Sequence, residues 1–429
     1  MSVTGALAVE VLEDALSGAP ADRALKRALR AHPALHNDER RALARWVFRV
    51  VLFQRRLAFS LGGDHGALDG LDARGRARRL LAAHLALEEG RSIESALYEV
   101  GLDDEHRAAL ERARERPPPL PDDPVERLAI ERSLPSFLAR LFVTERGLEE
   151  ADRLLAAMNE PGPITLRASS RMGDRDDLAD RLEQEGIRTA KTALSPWGLV
   201  VNDEGGRKPN LWGSRAFREG RFEVQDEGSQ LIALACEAAP GETVLDLCAG
   251  RGGKTLALAT MMRGEGRLVA TDIDERSLAD LAPRTARAGE TWISARALED
   301  DGDAALSGLV GACDCVLVDA PCSSLGTLRR GPHARWLVDE GDLVRYPELQ
   351  RRILARAVPL LRPGGRLVYA TCTLARDENE RVAEWLAKRF GELRPRPLPL
   401  DVAEGRAALT LLPHVHGTDG FFLAAFTRQ

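Results

Sequence analysis

The sequence lacks a C-x-x-C cysteine pair, and this absence argues against two classes of stabilised fold. No two of its six cysteines form a C-x-x-C pair, so their spacing indicates neither a disulfide framework nor a zinc site. Reduced thiols in a cytosolic protein are therefore expected, and no metal is predicted. The cysteines are Cys236, Cys248, Cys313, Cys315, Cys322 and Cys372.

Long apolar runs and an excess of positive charge are also missing. No apolar stretch approaches the ~20 residues of a transmembrane helix. Residues 1–16 contain three acids and no basic segment, so they are not expected to be a signal peptide. The net charge of -6 does not by itself indicate nucleic-acid binding, although a local basic face suffices for it. We expect a cytoplasmic protein that does not associate with membranes.

The pattern of apolar residues divides the 429-residue chain into four parts. Helical periodicity predicts an all-α domain over residues 1–116, and prolines predict a linker at 117–123. Helical and then short β-like segments predict a small α+β subdomain within 124–225. Strands alternating with helices over 226–429 predict an α/β domain with a parallel sheet. The strands are predicted at 164–167, 198–201, 221–224, 243–247, 267–271, 292–296, 313–319, 366–371 and 421–426.

A glycine-rich turn follows the first strand of the predicted α/β domain. The turn, Cys248-Ala249-Gly250-Arg251-Gly252-Gly253-Lys254, matches neither the full dinucleotide motif nor a phosphate-binding P-loop. Asp272 ends the next strand about twenty residues later, where such folds hold a ribose hydroxyl. A nucleoside cofactor without pyrophosphate fits both features, and S-adenosylmethionine is the common one.

Two further strands each end close to a cysteine. Asp319-Ala320-Pro321-Cys322 follows one apolar run, and Thr371-Cys372-Thr373 follows another. Ligands of open α/β sheets gather at the carboxyl ends of the strands, which places Asp319, Cys322 and Cys372 beside the cofactor turn. Most cysteines are small buried apolar residues, but a thiol in a turn is accessible and able to ionise.

These three motifs together resemble the RsmB/Sun (NOL-NOP-Sun) family of RNA 5-methylcytosine methyltransferases. The resemblance covers residues 125–429 and includes the final Asp419-Gly420-Phe421-Phe422. Over the first 115 residues it is carried by Asn37-Asp38-Glu39-Arg40-Arg41, which is similar to the NusB-like RNA-binding domain of bacterial RsmB. The resemblance implies a Rossmann-like class I methyltransferase domain, an α+β (RRM-like) RNA-binding subdomain and an N-terminal all-α NusB-like domain.

The resemblance also implies roles for individual residues. Cys372 attacks carbon 6 of cytosine, Cys322 assists release, and Asp319 bonds the edge of the base; DNA enzymes instead attack from the Pro-Cys position. The cofactor is S-adenosylmethionine, and Asp300 is the candidate acid near its adenine. The cofactor-binding residues implied are Cys248, Ala249, Gly250, Arg251, Gly252, Gly253, Lys254, Asp272, Asp300 and Asp319.

The chain departs from the family pattern at two places. Gly250-Arg251 stands where Ala-Pro is usual, and Gly331 and His333 flank Pro332 where His and Asp are common.

Some arginines allow two interpretations. Arg41, Arg45 and Arg49 recur on one helix face, either as phosphate contacts or as a solvated surface. The same alternatives apply to Arg167 and Arg171.

The sequence thus predicts a monomeric RNA cytosine-5 methyltransferase, with 16S rRNA as the expected substrate. A tRNA methyltransferase is the alternative within the same enzyme class. A non-catalytic RNA-binding factor for ribosome assembly is the alternative outside it, although Asp319, Cys322 and Cys372 are all retained. A nicotinamide-dependent oxidoreductase is disfavoured, because the phosphate loop is incomplete and the two strand-end cysteines would be unexplained.

Overall fold

A computed structural model of the chain describes residues 1–62, 68–202, 209–299 and 304–429. The chain forms two compact units. The first contains Met1–Pro161 and Leu328–Asp339, and the second contains Gly162–Thr327 and Glu340–Gln429. Asp300 therefore lies outside the described residues. No helix in the described ranges is long and apolar enough to span a membrane.

The N-terminal part of the first unit is helical, as predicted. Its apolar faces meet in a core that includes Leu12, Leu43, Trp46 and Val50, and the prolines at 117–121 separate two of its helices. The helices are α1 (Val3–Leu16), α2 (Ala21–Ala31), α3 (Asn37–Gly62), α4 (Ala73–Ala83), α5 (Ile93–Val100), α6 (Arg107–Glu115), α7 (Pro124–Arg132), α8 (Ser136–Arg146) and α9 (Leu148–Met158).

The second unit begins with a small antiparallel sheet in the order β2-β3-β1-β4. The sequence order β-α-β-β-α-β with this strand order is the ferredoxin-like arrangement, which confirms the predicted α+β subdomain. The three-residue strand β2 was not predicted, because so short a segment has no clear alternation. The elements are β1 (Thr165–Ala168), α10 (Arg175–Gln184), β2 (Thr189–Lys191), β3 (Gly198–Val201), α11 (Arg215–Arg218) and β4 (Phe222–Val224).

A larger sheet in the same unit has the order β10-β12-β9-β8-β5-β6-β7, with β11 paired to β12. Strands β5 to β9 pair in parallel, and β12 runs antiparallel to β9. The strands are β5 (Thr243–Asp246), β6 (Arg267–Asp272), β7 (Ser294–Ala297), β8 (Cys313–Asp319), β9 (Leu361–Thr371), β10 (Leu393–Pro395), β11 (Ala408–Leu411) and β12 (Phe421–Arg428). This is the predicted Rossmann-like fold.

Strand order reverses between β5 and β8, and this reversal creates the crevice in which doubly wound folds bind ligands. Apolar runs such as Cys315–Val318 are buried on both faces because helices cover the sheet. The remaining helices are α12 (Glu227–Ala235), α13 (Gly253–Met262), α14 (Glu275–Ala279), α15 (Leu281–Ala288), α16 (Ala334–Leu337), α17 (Asp342–Ala357), α18 (Glu380–Arg389) and α19 (Pro413–His416).

The segment Leu328–Asp339 belongs to the first unit although it lies between strands of the second. The Arg335 side chain is buried and donates hydrogen bonds from Nη1 to the carbonyl oxygen of Ser133 (3.0 Å) and to Asn159 Oδ1 (2.9 Å). Trp336 Nε1 donates to the carbonyl oxygen of Val51 at 2.8 Å. Both side chains therefore fix this segment to the helices of the first unit.

Candidate active site

The glycine-rich turn after β5 has a backbone that favours glycine at two positions. Gly250 and Gly252 have φ values of +52° and +76°, in the left-handed region that other residues adopt at a cost. A Cβ atom on Gly252 would lie 2.1 Å from Leu281 Cδ1. The Gly250 N–H donates to Asp272 Oδ2 at 2.7 Å, so the turn is joined to the end of β6.

Asp246, the last residue of β5, lies beneath this turn. Its side chain is 1% exposed, and its Oδ2 accepts a hydrogen bond from Thr255 Oγ1 at 2.7 Å. Burial raises the pKa of Asp246 to about 7. Its Oδ1 has no hydrogen-bond partner among the described residues. A buried acceptor next to a glycine turn fits the positively charged amino and sulfonium groups of S-adenosylmethionine.

Lys254 and Asp319 form an ion pair between the start of α13 and the end of β8. Lys254 Nζ lies 2.6 Å from Asp319 Oδ2, and the side chains are 12% and 28% exposed. Burial lowers the pKa of Lys254, but the charge and hydrogen bond of Asp319 together with the charges of Cys372 and Asp246 outweigh burial, so the pKa is raised overall. The ammonium group also lies 5.8 Å from the ring centre of Phe421. The ion pair thus keeps an oriented carboxylate at the crevice.

The sulfur atoms of Cys322 and Cys372 are 3.3 Å apart. Contact with the Cys322 thiol lowers the pKa of Cys372, against the opposing effects of burial and of Asp319. The Ser324 hydroxyl, 3.6 Å from Cys372 Sγ, and the Lys254 charge also lower it. The same contact and burial raise the pKa of Cys322 well above its usual range. Cys372 is therefore the sulfur that ionises first, and the Cys322 thiol donates to it.

Backbone contacts hold the two cysteine loops together. The Gly326 N–H donates to the carbonyl oxygen of Cys372 at 2.9 Å, and the Gly420 N–H donates to the carbonyl oxygen of Gly326 at 2.8 Å. A Cβ on Gly326 would lie only 2.1 Å from the Gly420 oxygen. The close approach of these chains explains why glycine occupies both positions.

The predicted site residues differ in what their side chains do. Cys248 packs partly against the core of the sheet, and Ala249 packs against a smaller cluster beside it. The Arg251 side chain is 70% exposed and pairs with Asp280 at 3.3 Å, so it points away from the sheet core. Asp272 accepts backbone N–H groups of Gly250 and Asp274. Carboxylate oxygens have lone pairs beyond these two bonds, so the ribose role stays a prediction.

Sequence reasoning gave no role to several residues that build this site. Asp246, Ser323, Thr373 and Glu378 are all buried polar residues at or near strand ends. All four have position as a signal, since each lies within six residues of a residue that was predicted to act. Thr373 and Glu378 also stand in segments that resemble the family, Thr371-Cys372-Thr373 and Asp377-Glu378-Asn379. Polar residues in such places are also common in ordinary loops, so the signal is weak without the fold.

The arginine hypotheses have different outcomes. Arg167 is 2% exposed and its Nε donates to Gln225 Oε1 at 2.7 Å, so its expected place on the surface was wrong: β1 is covered on both faces. Arg41 pairs with Asp38 and Arg45 with Glu89. The Arg49 guanidinium lies 4.5 Å from the centre of the Phe53 ring. A phosphate-contacting role for the last three stays a prediction.

Comparisons with known proteins identify the family to which this chain is similar. The family model described as "16S rRNA methyltransferase RsmB/F" matches residues 233–427, and that of the "Methyltr_RsmF/B-like, ferredoxin-like domain" matches residues 134–206. A Bacillus subtilis (strain 168) protein named "Probable ribosomal RNA small subunit methyltransferase B" is 33% identical over 320 residues, which span 72% of this chain and 69% of the relative.

Two other comparisons extend the range of relatives. The human "28S rRNA (cytosine(4447)-C(5))-methyltransferase" is 32% identical over 324 residues, which span 70% of this chain and 38% of that protein. The solved structure titled "Crystal Structure of PH0851" is similar with a TM-score of 0.80 and 25% identity, over 99% of each chain.

Proposed function

Since this chain belongs to the RsmB/F family of RNA methyltransferases, we propose that it methylates carbon 5 of a cytosine in 16S rRNA through a covalent Cys372–cytosine adduct. The chain is an S-adenosylmethionine-dependent methyltransferase. The observation that carries the covalent mechanism is the 3.3 Å contact between the Cys322 and Cys372 sulfurs, close to the Lys254–Asp319 pair.

The chemistry requires a nucleophile because carbon 5 of cytosine is itself a weak one. The Cys372 thiolate forms a bond to carbon 6, and the electrons of the 5,6 double bond become available at carbon 5. When bound, S-adenosylmethionine would supply the methyl group to carbon 5, with cleavage of its sulfonium–methyl bond and S-adenosylhomocysteine as the leaving group. Asp319, oriented by Lys254, accepts a hydrogen bond from the exocyclic amino group at the ring edge beside nitrogen 3 and favours the addition.

In the release step the Cys372 sulfur is the leaving group and no longer the nucleophile. The carbon-5 proton passes to a solvent base, the carbon 6–sulfur bond breaks, and the electron pair returns to Cys372. The Cys322 thiol, which holds its proton more tightly than Cys372, donates a hydrogen bond to the departing thiolate. We assign Cys322 to this release step. The target cytosine must be unpaired or extruded, because carbon 6 is approached from one face.

The proposed domain roles follow the four parts of the sequence. Residues 1–116 and 124–225 bind RNA, residues 117–123 link them, and residues 226–429 hold the cofactor and the cysteines. The names of the bacterial relatives support a small-subunit rRNA substrate. The human relative supports cytosine carbon 5 as the reacting atom.

Methyl transfer from radiolabelled S-adenosylmethionine to 16S rRNA, free and in small subunits, tests this proposal. We expect Cys372→Ala to reduce transfer by about 10³-fold or more and to abolish the adduct. We expect Cys322→Ala to accumulate a protein–RNA adduct that survives denaturing electrophoresis. Cys313→Ala, which alters a thiol in the core of the sheet, is the control and should retain transfer and release.

Bisulfite sequencing then identifies the modified RNA. Protection of one cytosine in 16S rRNA is the expected outcome. Protection found only in tRNA would support cytosine-5 methylation but would make tRNA the substrate in place of 16S rRNA. Wild-type protein that binds RNA but transfers no methyl group to either RNA would favour an assembly factor and contradict the proposal.

A further inference from the structure

Glu378 is a buried acid that the mechanism above does not use. It lies six residues after Cys372, just before α18, and its side chain has 0% exposure. Burial raises the pKa of Glu378, against the hydrogen bonds that lower it. An acid without exposure is costly unless it is fully hydrogen-bonded, so its partners indicate what it does.

The partners of Glu378 come from separate stretches of chain. Its Oε2 accepts hydrogen bonds from the Ser323 N–H at 3.0 Å and from Gln350 Nε2 at 3.0 Å. Its Oε1 accepts from the Ser323 hydroxyl. Gln350 Nε2 also donates to the carbonyl oxygen of Pro321 at 3.1 Å. Glu378 therefore holds the chain on both sides of Cys322.

The same cluster reaches the loop of Cys372. Ser323 Oγ lies 2.7 Å from Thr373 Oγ1, so the residue after one cysteine is bonded to the residue after the other. Asn379, next to Glu378, donates from Nδ2 to the carbonyl oxygen of Thr373 at 3.0 Å. The Ser323–Thr373 bond and the Cys322–Cys372 contact thus join the same two loops one residue apart.

We propose that Glu378 is a positioning residue that sets the separation of the Cys322 and Cys372 sulfurs. The significance of this role for methyl transfer depends on the function proposed above. Glu378 acts through its hydrogen bonds with Ser323, Gln350 and Thr373, so it is a positioning residue and not a catalytic one. Without its acceptor oxygens, the Ser323 N–H would lose its partner and the Cys322 loop would relax.

A purely electrostatic role predicts the opposite result. The Glu378 charge raises the pKa of Cys322, so removing the charge alone would make that thiol more acidic and would not make Cys372 less acidic. If the two sulfurs moved out of contact, Cys372 would become less acidic, because the Cys322 contact is the main cause of its lowered pKa. The other titratable groups that act on the pair are Asp319, Lys254, Tyr346 and Tyr369. Ser324 also bonds both cysteines, and all of these residues are unchanged in the variants below.

The test is the pH dependence of Cys372 alkylation by iodoacetamide in the full-length protein, followed by mass spectrometry of the Cys372 peptide. In Glu378→Ala and in Ser323→Ala we expect the midpoint to rise by about 0.5 pH unit or more, equal to about threefold less thiolate at pH 7. Cys322→Ala gives the upper bound of the shift. Glu378→Gln keeps an oxygen for Ser323 and Gln350, so its midpoint should stay near wild type.

Asp377→Ala is the matched control, because Asp377 is the neighbouring acid, is 44% exposed and pairs with Arg381. It should leave the midpoint unchanged. If Glu378→Ala does not fold, Ser323→Ala decides the matter alone. Unchanged midpoints in folded Ser323→Ala and Glu378→Ala would overturn the proposal, as would a lower midpoint in Glu378→Gln. These measurements need no RNA, so a failure of the methylation assays would leave their result intact.

Discussion

At the scale of single residues, the ionisation of Asp246 makes the stability of the folded protein depend on pH. Its pKa is about 7 in the folded protein against 3.8 in the absence of structure, and burial is the largest cause. A raised pKa means that the folded state binds the proton more tightly. The stability this contributes is fully present below pH 3.8 and is lost as the pH rises through 7.

Asp246→Asn should therefore gain stability relative to wild type as the pH rises. Between pH 5 and pH 8 the difference in unfolding free energy should move in favour of the variant by about 3 kcal/mol at most, since one pKa unit is equivalent to about 1.4 kcal/mol. Urea unfolding at the two pH values measures this difference. A pH-independent difference would show that Asp246 ionises freely in the folded protein.

Asp314→Asn is the control for this prediction. The Asp314 side chain is 18% exposed. Burial raises its pKa, but bonds from the Thr243 N–H and Arg362 outweigh burial and lower the pKa overall. A lowered pKa contributes stability that is lost only as the pH falls below the ordinary range of an aspartate. The difference between Asp314→Asn and wild type should accordingly be the same at pH 5 and pH 8.

At the scale of elements, the turn between β5 and α13 depends on one close contact. Gly250 and Gly252 both have positive φ, so alanine at either position adds a similar backbone cost of about 1 kcal/mol. A Cβ on Gly252 would also collide with Leu281, whereas a Cβ on Gly250 would meet no atom within 4 Å. The two glycines thus form a matched pair of sites.

Gly252→Ala should displace the turn from α15 and weaken S-adenosylmethionine binding by about tenfold or more, whereas Gly250→Ala should weaken it only slightly. Isothermal titration with the cofactor measures both affinities. Equal affinities in the two variants would mean that the collision with Leu281 is relieved without moving the turn. Thermal unfolding of each variant separates lost binding from lost folding.

The strands that build the crevice were predictable because their residues are continuous apolar runs. Cys313–Asp319 was predicted with the observed bounds, and the starts of β5 and β6 were also correct. β9 begins at Leu361, five residues before the predicted start, because Pro363-Gly364-Gly365 lies within the strand as an irregularity and not before it. Short edge strands β10 and β11 have too few residues to produce a recognisable pattern.

The residues of the active site were predictable where they belong to a sequence motif. They were not predictable where their role depends on a partner that is distant in the sequence. Cys322, Cys372, Lys254 and Asp319 were identified from motifs at strand ends, and their side chains meet as the topology requires. The hydrogen bonds of Glu378 join residues up to 55 positions apart, and no local pattern encodes such a pairing. The same holds for the raised pKa of Asp246, which depends on burial.

At the scale of the whole molecule, the chain path itself links sequence parts that were predicted to be separate. The chain leaves the second unit after Thr327, contributes Leu328–Asp339 to the first, and returns at Glu340. Arg335 donates to the carbonyl oxygens of Arg132 and Ser133, at the end of α7, where a cation is favoured by the helix dipole. The position of this segment therefore depends on helices encoded about 200 residues earlier.

Trp336→Ala should loosen this segment from the first unit. Trp336 packs against the helical core and donates to the Val51 carbonyl oxygen, and loss of both contacts should cost about 2–3 kcal/mol locally. Since ~1.4 kcal/mol corresponds to a factor of ten, amide exchange over residues 328–339 should accelerate by tenfold or more. Leu337→Ala, at a side chain that is 47% exposed, should leave exchange nearly unchanged. Wild-type exchange rates in Trp336→Ala would instead assign the anchoring to Arg335 and to His333, whose Nδ1 accepts a hydrogen bond from the Ala21 N–H.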